Sequence, residues 1–97
     1  MTTILTVDDS RALRAIINKS LSGEYDIVEA EDGSKGLEAL DANEIDLVLL
    51  DVTMPVMDGP AMLKEMRDRG HQTPVILLTA ESKTSLIGGM MAMGLSD

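Results

Sequence analysis

Apolar and polar residues follow two rhythms along this chain. Short continuous apolar runs alternate with longer stretches in which apolar residues recur every three or four positions. Continuous runs bounded by turn residues mark buried strands, and the wider spacing marks helices with one inward face. Thr3 to Val7 reads as a buried strand, and Ser10 then opens a helix whose inward stripe is Leu13, Ile16, Ile17 and Leu21, closed by Gly23. Tyr25 to Ala30 is a second strand, polar enough to lie at a sheet edge. A helix follows from Ser34 to Ala42 with Leu37 and Leu40 inward.

Asp46 to Leu50 is the most hydrophobic strand and shows no alternation, as expected for one covered on both faces. The loop Val52 to Gly59 leads to a third helix with Pro60 in its first turn, Met62, Leu63 and Met66 inward, and Gly70 at its end. Pro74 to Thr79 is a fourth strand. Lys83 to Met93 predicts a fourth helix, weakened by Gly88 and Gly89 and capped by Gly94. Strands alternating with helices give four βα units and a parallel sheet with right-handed crossovers. Four parallel strands are too few to close a barrel, so an open, doubly wound α/β fold is expected. No linker, internal repeat or low-complexity tract interrupts it, and residues 1–97 read as one domain.

Composition narrows the chemistry. With no cysteine and one histidine, His71, the chain can build neither a disulfide nor a zinc site of the usual donors. A net charge of −9 argues against nucleic acid as a partner, because that binding depends on neutralising phosphates with Lys and Arg. Tyr25 is the only aromatic residue, so there is no platform for stacking bases. No apolar stretch approaches the roughly 18 residues needed to span a bilayer. No charged-then-apolar leader precedes Ile4, and a cytoplasmic protein without a membrane partner is expected. Apart from Met1, the methionines fall between Met54 and Met66 and between Met90 and Met93, where core filling is the plain reading.

The polar residues at the strand ends carry the chemistry. Asp8 and Asp9 close the first apolar run and Asp51 closes the third. On neighbouring parallel strands all three would meet at the carboxyl ends, where open α/β sheets bind ligands. Three carboxylates held together repel one another, which calls for a bound cation, a raised pKa or both. Taken alone, Asp9 or Ser10 could simply cap the following helix. Asp51 has no helix directly after it to cap. Asp9 and Asp51 fit the carboxylate share of a Mg2+ site, and a loop carbonyl such as that of Thr53 could complete the protein's part. Thr79 ends the fourth strand, where its hydroxyl could donate to a phosphoryl oxygen in the same crevice. His71, the Glu29 to Asp32 run, and Glu38, Asp41 and Glu44 read as solvated. The nucleotide cradles GxGxxG and GxxxxGK[ST] are absent.

Four segments together, Val7-Asp8-Asp9-Ser10, Leu49-Leu50-Asp51, Met54-Pro55-Val56-Met57-Asp58-Gly59 and Leu78-Thr79-Ala80, resemble the receiver domain of two-component response regulators. The Asp-Asp-Ser start is similar to the stand-alone chemotaxis type. The resemblance implies a flavodoxin-like sheet of strand order 2-1-3-4, a histidine kinase or phosphotransfer protein as donor, and an output protein downstream. It implies that Asp51 accepts the phosphoryl group, that Asp9 and Asp51 ligate Mg2+ directly, and that Asp8 does so through water. The Thr53 backbone carbonyl would add a ligand and Thr79 would be the switch hydroxyl. Such a protein phosphorylates itself from a donor and turns over no small-molecule substrate of its own.

The resemblance also implies a fifth strand, preceded by a phosphate-pairing Lys, and a fifth helix. This sequence ends at Gly94-Leu95-Ser96-Asp97, where that strand would begin, and reads as a receiver truncated before it. The fourth strand would then be an apolar edge that invites a homodimer. A non-phosphorylated assembly module, dimerising through that strand or helix, is the competing expectation. An Asp-nucleophile phosphatase is disfavoured, because Asp51-Val52-Thr53 lacks the second aspartate of that motif.

Overall fold

The computed structural model describes residues 2–79. Within them, strands and helices alternate strictly: β1 (Thr3–Val7), α1 (Arg11–Leu21), β2 (Asp26–Ala30), α2 (Gly33–Ala42), β3 (Leu47–Asp51), α3 (Gly59–Asp68) and β4 (Val75–Leu78). The strands form one parallel sheet in the order β2-β1-β3-β4, as the resemblance implied. The predicted fourth helix from Lys83, its Gly94 cap and the Met90 to Met93 cluster lie outside the described residues.

Alternation along the strands sorts the core into two layers. Leu5 and Val7 of β1 and Val48 and Leu50 of β3 face α2 and α3, where Leu37, Leu40, Met62 and Met66 close the packing. Ile4 and Leu49 point to the other face and meet Leu13 and Ile17 of α1, together with Leu78 of β4. Helices therefore cover both faces of the sheet. The methionines Met54, Met62 and Met66 are buried, as core filling predicts. Met62 occupies space that a side chain at Gly36 would claim, with its Cε 2.8 Å from where a Cβ would stand.

Capping fixes where each helix begins. Ser10 Oγ accepts from the Leu13 amide at 3.2 Å, Asp32 Oδ1 from Lys35 at 2.9 Å, and Asp58 Oδ1 from Ala61 at 2.9 Å. At the other end of α3, Gly70 adopts φ +91°, a left-handed value that suits glycine.

Three expectations need correction. Ile16 is exposed, not part of the α1 stripe. Leu13, Ile17 and Leu21 fall on one line at four-residue spacing, and Ile16 lies roughly 100° from its centre at 3.6 residues per turn. The opposite flank of that stripe carries Arg14 and Asn18, which reach Glu29 on β2. The Glu29 to Asp32 run is thus not a mere solvated face: Glu29 takes an ion pair and Asp32 caps α2. Asp41 and His71 are likewise joined, with Asp41 accepting from His71 Nε2 at 2.8 Å and from Arg69 Nη1. Because an ionised carboxylate can only accept, Nε2 is the protonated ring nitrogen.

Candidate functional site

The sheet register brings the strand ends together. Val7 pairs with Leu50 across β1 and β3, and Asp51 pairs with Leu78 across β3 and β4. Asp8 and Asp9 follow β1 directly, so they emerge beside Asp51. One oxygen from each of Asp8, Asp9 and Asp51 lies within 4.8 Å of the other two. Asp8 and Asp51 are only 2% and 3% exposed, whereas Asp9 is open to solvent. Two buried carboxylates and one exposed one thus share a small volume.

Each buried carboxylate is held by the backbone next to it. Asp8 Oδ1 accepts from the Ser10 amide at 2.8 Å, and the Asp8 amide donates to the Ala30 carbonyl at 3.0 Å. Asp51 Oδ1 accepts from the Thr53 amide at 3.2 Å, which sets the Thr53 peptide at the rim of the cluster. The Val52 amide donates to the Leu78 carbonyl at 3.1 Å. Thr79 therefore begins where β4 runs out beside Asp51, and it is exposed. Of the five residues singled out in the sequence, Asp8, Asp9 and Asp51 converge, Thr53 bonds Asp51 through its amide, and Thr79 follows directly on Leu78, the partner of Asp51 in the sheet.

The loop between β3 and α3 forms the rim. Gly59 folds back so that its amide donates to the Val52 carbonyl at 3.0 Å. Within the loop the Met57 amide donates to the Pro55 carbonyl at 2.7 Å, a three-residue turn centred on Val56. Val56 has φ +69°, an uncommon value for a β-branched residue, and is 84% exposed. Met57 packs where a side chain on Gly33 would otherwise stand. Sequence reasoning named Gly59 only as part of a motif and did not see the contact with Gly33. It also missed Arg14, whose guanidinium donates to the Asp8 carbonyl. The available signal was a cation on α1 one turn after the Ser10 cap.

The donor set suits a hard divalent cation. It offers clustered carboxylate oxygens, two of them desolvated, and no sulfur or imidazole. Asp8, Asp9 and Asp51 are the residues that could hold Mg2+.

Known proteins are similar to this chain in sequence and in fold. The sequence model of the response regulator receiver domain matches residues 4–97. Response regulator MprA of Mycobacterium sp. (strain KMS) is 40% identical over 83 residues, covering 84% of this chain and 36% of that protein. The transcriptional regulatory protein CpxR of Escherichia coli (strain K12) is 47% identical over 81 residues, covering 82% of this chain and 34% of its own length. The chain thus spans about a third of the curated relatives it matches. Among solved structures, Vibrio cholerae chemotaxis protein CheY4 aligns with a TM-score of 0.79 at 25% identity, covering 99% of this chain and 97% of that one. The response regulator TrrA of Thermotoga maritima, solved in complex with Mg2+-BeF, aligns with a TM-score of 0.76 at 31% identity, covering 93% and 81%. The chain belongs to the response regulator receiver domain family.

Proposed function

We propose that this chain is a Mg2+-dependent phosphoacceptor in a two-component phosphorelay, with Asp51 taking a phosphoryl group from a histidine kinase or phosphotransfer protein. One observation carries the reading: the oxygens of Asp8, Asp9 and Asp51 converge within 4.8 Å, with two of the three residues buried. That arrangement is costly for anions and favourable for a cation with an incoming phosphoryl group. Asp9 and Asp51 would ligate Mg2+ directly, Asp8 through water, and Thr53 through its carbonyl. Bound there, Mg2+ would supply charge neutralisation for the acceptor and the phosphoryl oxygens.

The chain's own part is acceptance and response. A carboxylate oxygen of Asp51 attacks phosphorus, a P–O bond forms, and the P–N bond to the donor imidazole breaks. The imidazole leaves with the electron pair and regains a proton from solvent. Thr79, at the next strand end, would donate its hydroxyl to a phosphoryl oxygen, and an output protein would read the change. No independent turnover of a small-molecule substrate is expected.

Incubation with Mg2+ and a small phosphodonor tests this. A phosphoryl adduct seen by mass spectrometry in the wild type and absent in Asp51→Asn supports it. No adduct, or one that survives Asp51→Asn, would overturn it. A second reading, an assembly module, draws on Ile76 and Leu77, which are exposed on β4, the outer strand of the described sheet. It predicts a homodimer that forms without phosphodonor, which sedimentation measures.

A further inference from the structure

Asp8 and Asp9 are joined by a peptide that is gripped by a side chain to which the phosphoacceptor reading gives no role. Nη1 of Arg14 donates to the Asp8 carbonyl oxygen. Nε of the same guanidinium donates to Oε1 of Glu29 on β2 at 3.2 Å. The second oxygen of Glu29 accepts from Asn18 Nδ2 at 3.0 Å. Arg14 and Asn18 stand one turn apart on α1, so this flank of the helix is tied to β2. The Arg14 side chain is 13% exposed and that of Glu29 37%, so the guanidinium end of the bridge is shielded from solvent. A planar guanidinium fixes the direction of its bonds as well as their length.

Other contacts already hold Asp8: its amide is bound by Ala30 and its carboxylate by the Ser10 amide. The Arg14 contact acts one residue further on. The carbonyl of Asp8 and the amide nitrogen of Asp9 lie in one rigid plane, so gripping the carbonyl sets the orientation from which Asp9 departs. Asp9 is the exposed member of the carboxylate cluster, so burial does not immobilise it.

Resting on the reading that Asp8, Asp9 and Asp51 hold Mg2+, we propose that Arg14, anchored by Glu29, is a positioning residue. It fixes the Asp8–Asp9 peptide and thereby aims the Asp9 carboxylate at the cation. Charge alone makes the opposite prediction. A cation beside the cluster repels Mg2+, so removing an arginine that acted only through its charge would tighten binding. Removing a residue that orients a ligand weakens binding, typically by roughly 10–100-fold. The sign of the change separates the two.

The test is Mg2+ titration by calorimetry on the 97-residue chain, comparing wild type with Arg14→Gln, Arg14→Lys and Glu29→Gln. Urea stability and the amide resonance of Asp9 without Mg2+ are followed in parallel. Arg14→Gln is expected to raise the Mg2+ Kd about 10-fold or more. Arg14→Lys keeps the charge but not the planar fork, and should behave like Arg14→Gln. Glu29→Gln should raise the Kd less, and the Asp9 resonance should move in each variant. Unchanged or tighter binding in Arg14→Gln would overturn the proposal, as would an unmoved Asp9 resonance. If Arg14→Gln does not fold, Glu29→Gln decides, and a wild-type Kd in that variant overturns it. A wild type that binds no Mg2+ refutes the phosphoacceptor reading and this proposal together. A binding wild type with unaffected variants refutes the role of Arg14 alone.

Discussion

A methyl group on Gly59 would overlap the carbonyl oxygen of Asp51, and would stand 2.9 Å from the Cα of Val52. The backbone entering α3 is thus pressed against the strand end that carries the candidate phosphoacceptor. Both obstructing groups are main chain, so neither can swing aside as a flexible side chain would.

Gly59→Ala is therefore expected to destabilise the fold by about 1–3 kcal/mol, the usual range for overpacking. Gly23→Ala is the control, since nothing lies within 4 Å of a Cβ there. Urea denaturation of both variants measures the difference, and equal midpoints would contradict the steric argument.

Thr6→Val should stabilise the protein by about 1 kcal/mol. Thr6 is 1% exposed in the middle of the sheet, and its Oγ1 has no hydrogen-bond partner among the described residues. A buried hydroxyl left unsatisfied costs roughly 1–3 kcal/mol, and valine keeps its shape while removing the polar atom. The denaturant midpoint should rise with the slope unchanged.

That hydroxyl marks one limit of the sequence reading. Thr6 suits a strand by its branching, and nothing in the residue order says whether a partner reaches its oxygen. Strands and helices, by contrast, were legible, because the continuous apolar runs of Ile4 to Val7 and Leu47 to Leu50 are those the sheet packs on both faces. The Asp8, Asp9 and Asp51 cluster was legible for the same reason: parallel strands with one sheet order leave their carboxyl ends side by side. Arg14, Asp41 and His71 were not. Their partners lie 15, 28 or 30 residues away across loops, where no period relates one residue to another.

Val56→Asn should add about 1 kcal/mol. Valine at φ +69° carries backbone strain, of the order of 1–3 kcal/mol for such conformations, which asparagine tolerates better. With 84% of its surface exposed, Val56 loses little burial in the exchange. Thermal unfolding compared with wild type checks this, and a lowered midpoint would count against strain at this turn.

Asp41 should shape the acid limb of stability. The hydrogen bond from His71 holds its carboxyl below the ordinary value of 3.8, with Arg69 and His71 adding attraction that outweighs the opposing desolvation. A carboxyl whose pKa is lower folded than unfolded stabilises the fold above its unfolded pKa. That contribution is lost as pH falls through the folded value. Asp41→Asn should therefore lower the urea midpoint at pH 7, and the gap to wild type should narrow below about pH 3.8. A gap that stays constant down to the acid transition would rule this out.

The sheet order ranks how readily different parts of the site come apart. Strands β1 and β3 are flanked on both sides, so freeing either one means breaking two ladders, whereas β2 and β4 are each held by one among the described residues. Amide hydrogens of Asp8 and Val52, bonded to Ala30 and Leu78 where the central strands meet the outer ones, should exchange slowly with solvent. The Met57 amide closes a three-residue turn in an exposed loop and should exchange much sooner. The strand ends thus form a firm floor to the site, and the exposed loop an adaptable lip around it.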